Sequence, residues 1–235
     1  MKSNCRTAEG VTLIEIIMTM SMLSMIIILC SQVFTASWKR FHILNVIQDV
    51  KMSGIRGVER FGRDFGETST NYINKNSDIT GLVMWIYFPS QRNVDGTFTP
   101  DEGNLNTVWK TWIIYYLIPS NTVNNANQAQ TLDGKALYFL ARKVKKIPNN
   151  VKSMTLDVDS EIKPELLTLR PVVVDPSRGV TSGAEICARN VTFFGVDTEN
   201  SGAIDTYRMV IETWGSYGGR KCTSKMEKVF LIQNI

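Results

Sequence analysis

The sequence predicts an α+β fold in which one long N-terminal helix, membrane-spanning in its first half, packs on a mainly antiparallel β-sheet. Two observations predict it. An apolar run near the N-terminus ends at Ala36 and continues as an amphipathic segment to Phe65. After Gly66 the chain turns to short runs rich in aromatic and β-branched residues, without the alternation of strands and helices that indicates a parallel sheet.

The apolar run from Ile16 to Ala36 matches the thickness of a bilayer. It forms a helix about 30 Å long at a rise of 1.5 Å per residue. Trp38, Lys39 and Arg40 follow it after one serine and predict an anchor at the membrane interface. A secretory signal peptide has a shorter apolar core before a small-residue cleavage site, and this run fits that pattern poorly.

The helix is expected to continue well beyond the membrane. Apolar and glycine positions recur at intervals of three and four, which places them on one helical face. They are Ile43, Ile47, Val50, Gly54, Val58, Phe61 and Phe65. Gly54 and Gly57 would let a sheet approach the backbone closely. One helix from Thr12 to Phe65 is therefore predicted, and two helices broken near Trp38 are the alternative.

The rest of the chain predicts eight strands separated by polar loops. Each segment is rich in β-branched or aromatic residues. The segments are 82–88, 108–118, 136–144, 151–159, 166–174, 187–196, 204–214 and 226–233.

The composition suits one domain on one anchor. The chain has 235 residues, 43% of them hydrophobic, and a formal net charge of +4. About 190–200 residues remain beyond the span, enough for a core of ordinary size. Such a small charge does not indicate a nucleic-acid partner, and the basic run 142–146 is interpreted as a solvated strand end.

Glu15 is an acidic residue at the start of the apolar run, five residues after Gly10. Its carboxylate would therefore lie where the hydrocarbon of the membrane begins. An acid inside a membrane costs about 2.5–3.5 kcal/mol and so calls for a positive partner. The nearest one would be a free α-amine at Val11, formed if the chain were cut after Gly10. An ordinary signal anchor with an accidental glutamate is the alternative.

The stretch Gly10-Val11-Thr12-Leu13-Ile14-Glu15 resembles the N-terminus of type IV pilins and type II secretion pseudopilins. The resemblance implies that a prepilin peptidase cuts after Gly10 and methylates the amine of Val11. It also implies that Glu15 pairs with the amine of a neighbouring subunit during assembly of a pilus or pseudopilus. Val11 departs from the usual phenylalanine, the leader is less basic than usual, and the span lacks a proline.

The resemblance implies four segments and an orientation. Residues 1–10 are a cytoplasmic leader, and residues 11–36 are the transmembrane half of the helix in the inner membrane. Residues 37–66 are its amphipathic half, and residues 67–235 are a β-rich periplasmic or extracellular head. The order of strands around Tyr115, Leu137 and Asn150 is similar to J-type pseudopilins and W-type minor pilins, which implies a minor subunit.

Cys187 and Cys222 are the cysteines of the head. If residues 187–196 and 204–214 form a hairpin, Cys187 lies at the same end of the sheet as Trp214. Residues 215–225 would then leave the sheet at that end and return to it, which would bring Cys222 close to Cys187. An oxidising periplasm then favours a disulfide, and two free thiols are the alternative. A zinc site is disfavoured because the sole histidine, His42, is far away in the sequence.

Cofactors and catalysis are not expected. Asp197, Glu199 and Asp205 have a spacing reminiscent of calcium loops, but Arg208 stands where the closing glutamate should be, and a hairpin turn accounts better for the segment. His42 falls on the polar face of the helix, where a solvated role is favoured over a catalytic one, and no Ser/His/Asp set can be built elsewhere without it. The alternative function is a single-pass anchored periplasmic binding module, for example in DNA uptake, without cleavage or dependence on Glu15.

Overall fold

The computed structural model describes residues 11–68, 73–93, 97, 109–120, 131–132, 135–147, 184–200, 205–218 and 220–232. The chain divides into two compact units, residues 1–45 and 46–235. Helix α1 covers Leu13–Phe65, so the predicted single helix is confirmed and the break near Trp38 does not occur. By length and composition α1 can cross a membrane, as a membrane anchor or a signal sequence does.

In the residues that the structure describes, nine strands follow the helix. They are β1 (Asn74–Ser77), β2 (Val83–Ser90), β3 (Thr111–Pro119), β4 (Thr131–Leu132), β5 (Lys135–Ala136), β6 (Tyr138–Lys146), β7 (Ala184–Asn200), β8 (Asp205–Tyr217) and β9 (Arg220–Ile232). Seven of them form one sheet in the order β1-β2-β3-β6-β7-β8-β9, while β4 and β5 pair separately. Every pairing is antiparallel, and the predicted fold class is therefore confirmed.

Six of the predicted strands match β2, β3, β6, β7, β8 and β9. The predicted strands 151–159 and 166–174 lie outside the described residues. Strand β1 was not predicted because its sequence, Asn-Lys-Asn-Ser, is entirely polar and exposed. Strand β9 begins six residues before its predicted start at Met226, since its first half is polar and carries no apolar signal.

The second half of α1 supplies the centre of the core. Phe61 and Phe65 are completely buried and stack with their ring centroids 4.8 Å apart. Phe61 also meets Tyr115 edge to face at 5.0 Å, and Phe65 meets Phe88 at 5.1 Å. These aromatic contacts fix the helix against the sheet. The predicted apolar face is confirmed from Val50 to Phe65, while Ile43 and Ile47 are only half-buried.

Glycine allows the close approach that the sequence predicted. A Cβ built on Gly57 would lie 2.9 Å from Cδ1 of Ile211 and 3.1 Å from Cβ of Ala188. A Cβ on Gly54 would lie 3.0 Å from Met226. The helix therefore rests on β7, β8 and β9 with little room for a side chain at these positions.

The sheet curls around the end of the helix. Lys75 of β1 donates a hydrogen bond to the carbonyl of Val196 on β7, although three strands lie between them in the sheet order. Strand β3 is central and is buried from Thr111 to Ile118. The face of β3 that points away from α1 packs in a separate apolar cluster that includes Trp112, Tyr116 and Phe139.

A tight turn joins β8 to β9. Tyr217 pairs with Arg220, so two residues form the loop. Gly218 has a φ of +57°, a conformation that glycine adopts without steric cost. The register then runs without a shift to the pair Asp205 and Ile232.

Candidate functional site

The first turn of α1 is closed by a reciprocal cap. The backbone N–H of Thr12 donates to Oε2 of Glu15 at 2.9 Å, and the Thr12 hydroxyl donates to the same oxygen at 3.0 Å. In return the N–H of Glu15 lies 3.4 Å from the Thr12 hydroxyl oxygen. This is a capping box, in which a threonine and a glutamate three residues later satisfy the free N–H groups of a helix start. Glu15 therefore has a structural role in its own subunit.

This cap was not predicted from the sequence, although its signal is present there. The pattern Thr-x-x-Glu before an apolar run is a sequence signature of a helix start. Val11, the predicted new N-terminus, is 71% exposed and immediately precedes the cap. Gly10 and the rest of the predicted leader lie outside the described residues.

The apolar half of the helix is entirely uncovered. Every residue from 11 to 40 is exposed. The hydroxyls of Thr19, Ser21, Ser24 and Thr35 donate to carbonyls three or four residues earlier in the same helix, at 2.7 to 2.9 Å. The segment thus presents an apolar surface despite its serines and threonines, which suits a hydrocarbon environment.

An aromatic group marks the end of the apolar run. Trp38 stacks on Phe34 with centroids 6.0 Å apart and meets His42 edge to face at 4.9 Å. Lys39 and Arg40 beside it are exposed. Tryptophan with neighbouring basic residues is the composition of a membrane interface. The role of Trp38, Lys39 and Arg40 as an anchor remains a prediction.

A charge network centred on the buried carboxylate of Asp64 lies at the other end of the helix. Asp64 is 4% exposed, and it accepts hydrogen bonds from the Tyr115 hydroxyl at 2.7 Å and from the guanidinium of Arg142. Glu185 lies 3.7 Å from Arg142 and 3.1 Å from Arg60. The network joins α1 to β3, β6 and β7, and it fixes the position of the helix on the sheet.

The network shifts the protonation equilibria of its members. Burial, and then the negative charge of Asp64, raise the pKa of Tyr115 well above its usual value. Burial opposes the charge of Arg142, but the hydrogen bond and charge of Asp64 outweigh it and raise the pKa of Arg142. Arg142 is therefore a largely buried structural cation. Its interpretation as part of a solvated strand end was wrong.

The two cysteines of the head are free thiols. The expected disulfide is not present, because residues 215–225 extend β8 and β9 instead of forming a loop. Cys222 pairs with Gly215 of β8, and β8 separates it from Cys187 on β7. Two strand spacings amount to about 9.5 Å, beyond the reach of a disulfide. Burial, followed by the charge of Glu185, raises the pKa of Cys187 to about 12.

The suggested calcium segment is part of a hairpin. Strands β7 and β8 pair antiparallel up to Asn200 and Asp205, as the hairpin interpretation predicted. The carboxylate of Asp197 lies 3.6 Å from Arg208. Residues 201–204 and the side chains of Glu199 and Asp205 lie outside the described part. Within that part, no three His, Cys, Asp or Glu side chains form a metal-binding group.

A groove of about 820 Å³ lies where α1 meets the ends of β7 and β8. The Ser53 hydroxyl accepts from the Arg189 N–H at 2.7 Å and donates to the Arg189 carbonyl at 3.0 Å. Asp49 and Arg56 also line the groove, and so does the protonated thiol of Cys187. Its described lining offers polar contacts but no activated nucleophile.

A long apolar N-terminal helix whose second half packs on an antiparallel sheet is a pilin-like architecture. Comparison of the chain with protein-family models, with curated proteins and with solved structures finds no match.

Proposed function

We propose that the chain is a minor pilin or pseudopilin, a structural subunit without enzymatic activity that assembles through α1. One observation carries this proposal. A single acidic residue, Glu15, lies in the first turn of a helix whose following apolar residues are exposed, and the same helix ends in the core of a β-sheet domain.

The exposed apolar surface of α1 requires a cover. Apolar area in water costs about 25 cal/mol per Å², and contiguous exposed apolar patches mark membrane or protein contacts. Lipid supplies that cover before assembly, and the helices of neighbouring subunits supply it afterwards. The helix is thus both the membrane anchor and the assembly element.

Glu15 determines how the helices associate. Thr12 donates two hydrogen bonds to one carboxylate oxygen of Glu15. These bonds do not neutralise the negative charge of Glu15 in lipid. Cleavage after Gly10 would create a positive amine at Val11. Pairing of that amine with Glu15 of a neighbour would remove an uncompensated charge from the membrane, and subunit addition would therefore be favourable.

The remaining assignments follow from the same proposal. The prepilin peptidase and other pilin or pseudopilin subunits are the partners. The N-terminus is cytoplasmic, the helix crosses the inner membrane once, and the head is periplasmic before it enters a pilus or pseudopilus. The similarity of the head sequence to J-type pseudopilins and W-type minor pilins supports a minor subunit.

The mass of the mature N-terminus tests this proposal. Protein from cells with a prepilin peptidase should begin at methylated Val11, and protein from cells without it should retain the leader. Gly10→Leu should block cleavage, whereas Val11→Phe, which introduces the usual family residue, should be processed normally. A chain that begins at Met1 in every case would contradict the proposal and favour the anchored binding module.

A further inference from the structure

We propose that the outer edge of β9 binds an extended acidic segment of a partner protein as an eighth strand of the sheet. The site differs from the assembly site, since Glu15 and β9 belong to different compact units. Addition of a strand to an exposed sheet edge is an established mode of peptide recognition, in which backbone hydrogen bonds supply affinity and alternate side chains supply specificity.

Strand β9 is a long and regular edge. It is last in the sheet order and has 13 residues. Its register against β8 contains no bulge, so the edge is not twisted out of line. At about 3.3 Å per residue it spans about 43 Å, which is enough for a partner strand of ten or more residues.

The turn determines which backbone groups face outward. In a two-residue hairpin the flanking residues, here Tyr217 and Arg220, form a hydrogen-bonded pair, and this pattern alternates along the ladder. The outward groups then include those of Thr223, Lys225, Glu227, Val229 and Leu231. Among the described residues, these five make no backbone hydrogen bond beyond the ladder with β8.

The opposite edge of the sheet is constructed differently. Strand β1 has only four residues, and its register shifts between Asn76 and Ser77. Lys75 also ties it to the carbonyl of Val196. Short, irregular and covered strands are the usual protection of a sheet edge. The sheet is thus protected at β1 and offers a continuous row of backbone groups at β9.

Charge selects the kind of strand that β9 accepts. Four basic residues, Arg220, Lys221, Lys225 and Lys228, outnumber the single acid Glu227 along the exposed strand. Like charges placed opposite each other destabilise a pair of strands, and opposite charges stabilise it. The basic edge therefore disfavours a second β9 and favours an acidic segment.

Apolar contacts are available near the end of the strand. Val229 is 54% exposed and Leu231 is 70% exposed, and both alternate with Phe230, which packs towards the helix. The expected partner strand carries acidic residues opposite Lys225 and apolar residues opposite Val229 and Leu231. This pattern gives the partner a direction and a register.

Peptide binding to the full chain in single-copy lipid nanodiscs tests the proposal. The probes are a labelled twelve-residue peptide of alternating threonine, glutamate and valine, the same peptide with lysine for glutamate, and a peptide copy of residues 220–232. Fluorescence anisotropy should show that the acidic peptide binds at least about tenfold more tightly than either of the others.

Two variants locate the binding at the edge. Val229→Pro removes an outward N–H without breaking a bond to β8, and it should weaken binding of the acidic peptide about tenfold or more. Val229→Thr keeps the N–H and should change binding less than about twofold. If Val229→Pro fails to fold, Lys225→Glu provides the same test and should weaken binding at least about threefold.

Three results would overturn the proposal. Equal binding of acidic and basic peptides would remove the charge selection. Full binding by folded Val229→Pro, or by Lys225→Glu, would place the peptide elsewhere. Tightest binding of the 220–232 peptide would identify a second copy of this chain as the occupant. None of these results bears on cleavage at Gly10, so this inference and the proposed function fail independently.

Discussion

Asp64 of α1 and Arg142 of β6 form an ion pair in which the two side chains are only 5% and 13% exposed. Tyr115 donates a third hydrogen bond to the same carboxylate. Both oxygens of Asp64 accept hydrogen bonds. The pair connects the last turn of α1 to β6, the middle strand of the sheet. The loss of Arg142 would leave the buried carboxylate of Asp64 without its cation.

Arg142→Met should therefore destabilise the head by about 3–5 kcal/mol, because Asp64 would remain buried without its cation. The control is Arg60→Met, which removes a more exposed partner of Glu185 and should cost less than about 1 kcal/mol. Urea unfolding of the full chain in non-ionic detergent measures both. The double variant Asp64→Leu with Arg142→Met should recover much of the loss, and equal losses for Arg60→Met and Arg142→Met would contradict the assigned role.

Gly57→Ala should destabilise the protein, although alanine is the better helix former. The added methyl group would meet Ala188 and Ile211, and overpacking costs about 1–3 kcal/mol against a gain of about 1 kcal/mol in helix propensity. A net loss of about 1 kcal/mol is expected in the same unfolding experiment. Glu59→Ala, on the exposed side of the same turn, is the control and should stay within about 0.5 kcal/mol of the wild type. A stabilised Gly57→Ala would show that the helix does not touch the sheet there.

Glu15→Val should leave cleavage after Gly10 largely intact and prevent incorporation into filaments. Glu15→Gln is the matched variant, since glutamine can complete the capping box with Thr12 but carries no charge. If the charge drives assembly, both variants should be absent from sheared filament fractions on immunoblots. Normal incorporation of Glu15→Gln would assign the residue to helix capping alone.

Cys187 and Cys222 should react with iodoacetamide at very different rates. The pKa of Cys187 is about 12 because its thiol is buried, so almost no thiolate exists at pH 8. The side chain of Cys222 is only half-buried, so the reagent can reach it. Mass spectrometry of the folded chain at pH 8 should find Cys222 labelled first, and denaturation without reductant should then expose Cys187 to the reagent. A mass that shows Cys187 and Cys222 linked would contradict the separation of β7 and β9.

The fold could be predicted because its signals are local. Intervals of three and four from Val50 to Phe65 define the buried face of α1, and continuous apolar residues from Trp112 to Ile118 define a strand that is buried on both faces. The polar strand β1 lacked both signals. It owes its position to pairing with β2, which is a tertiary effect.

The candidate site could be predicted only in part. Glu15 is identified by its place in a motif, and the capping box could also have been found from Thr12. Asp64 occupies a buried position between Phe61 and Phe65, and Arg142 follows Leu140 on the same face of β6. Each is a charged residue at a position where the pattern predicts an apolar one. Their pairing could not be predicted, because it depends on contacts between residues 78 positions apart.

The position of Cys222 shows how one turn changes a prediction. The sequence pattern predicted that residues 215–225 form a returning loop. Gly218 instead lies in a two-residue turn, and the strands extend on both sides of it. Two consecutive glycines between strand-forming residues are a hairpin signal, which places Cys222 on the far side of β8 from Cys187.

The hydroxyls of Thr19, Ser21, Ser24 and Thr35, bonded to their own helix, also bear on mechanics. Hydrogen bonds between helices act as adhesive in membranes, and these four groups are already occupied. Two such helices in contact would be held together mainly by van der Waals packing, because these groups are not free to bond across the interface. If the chain assembles as proposed, a bundle of these helices would resist axial sliding through side-chain packing and through Glu15, and these four hydroxyls would contribute little.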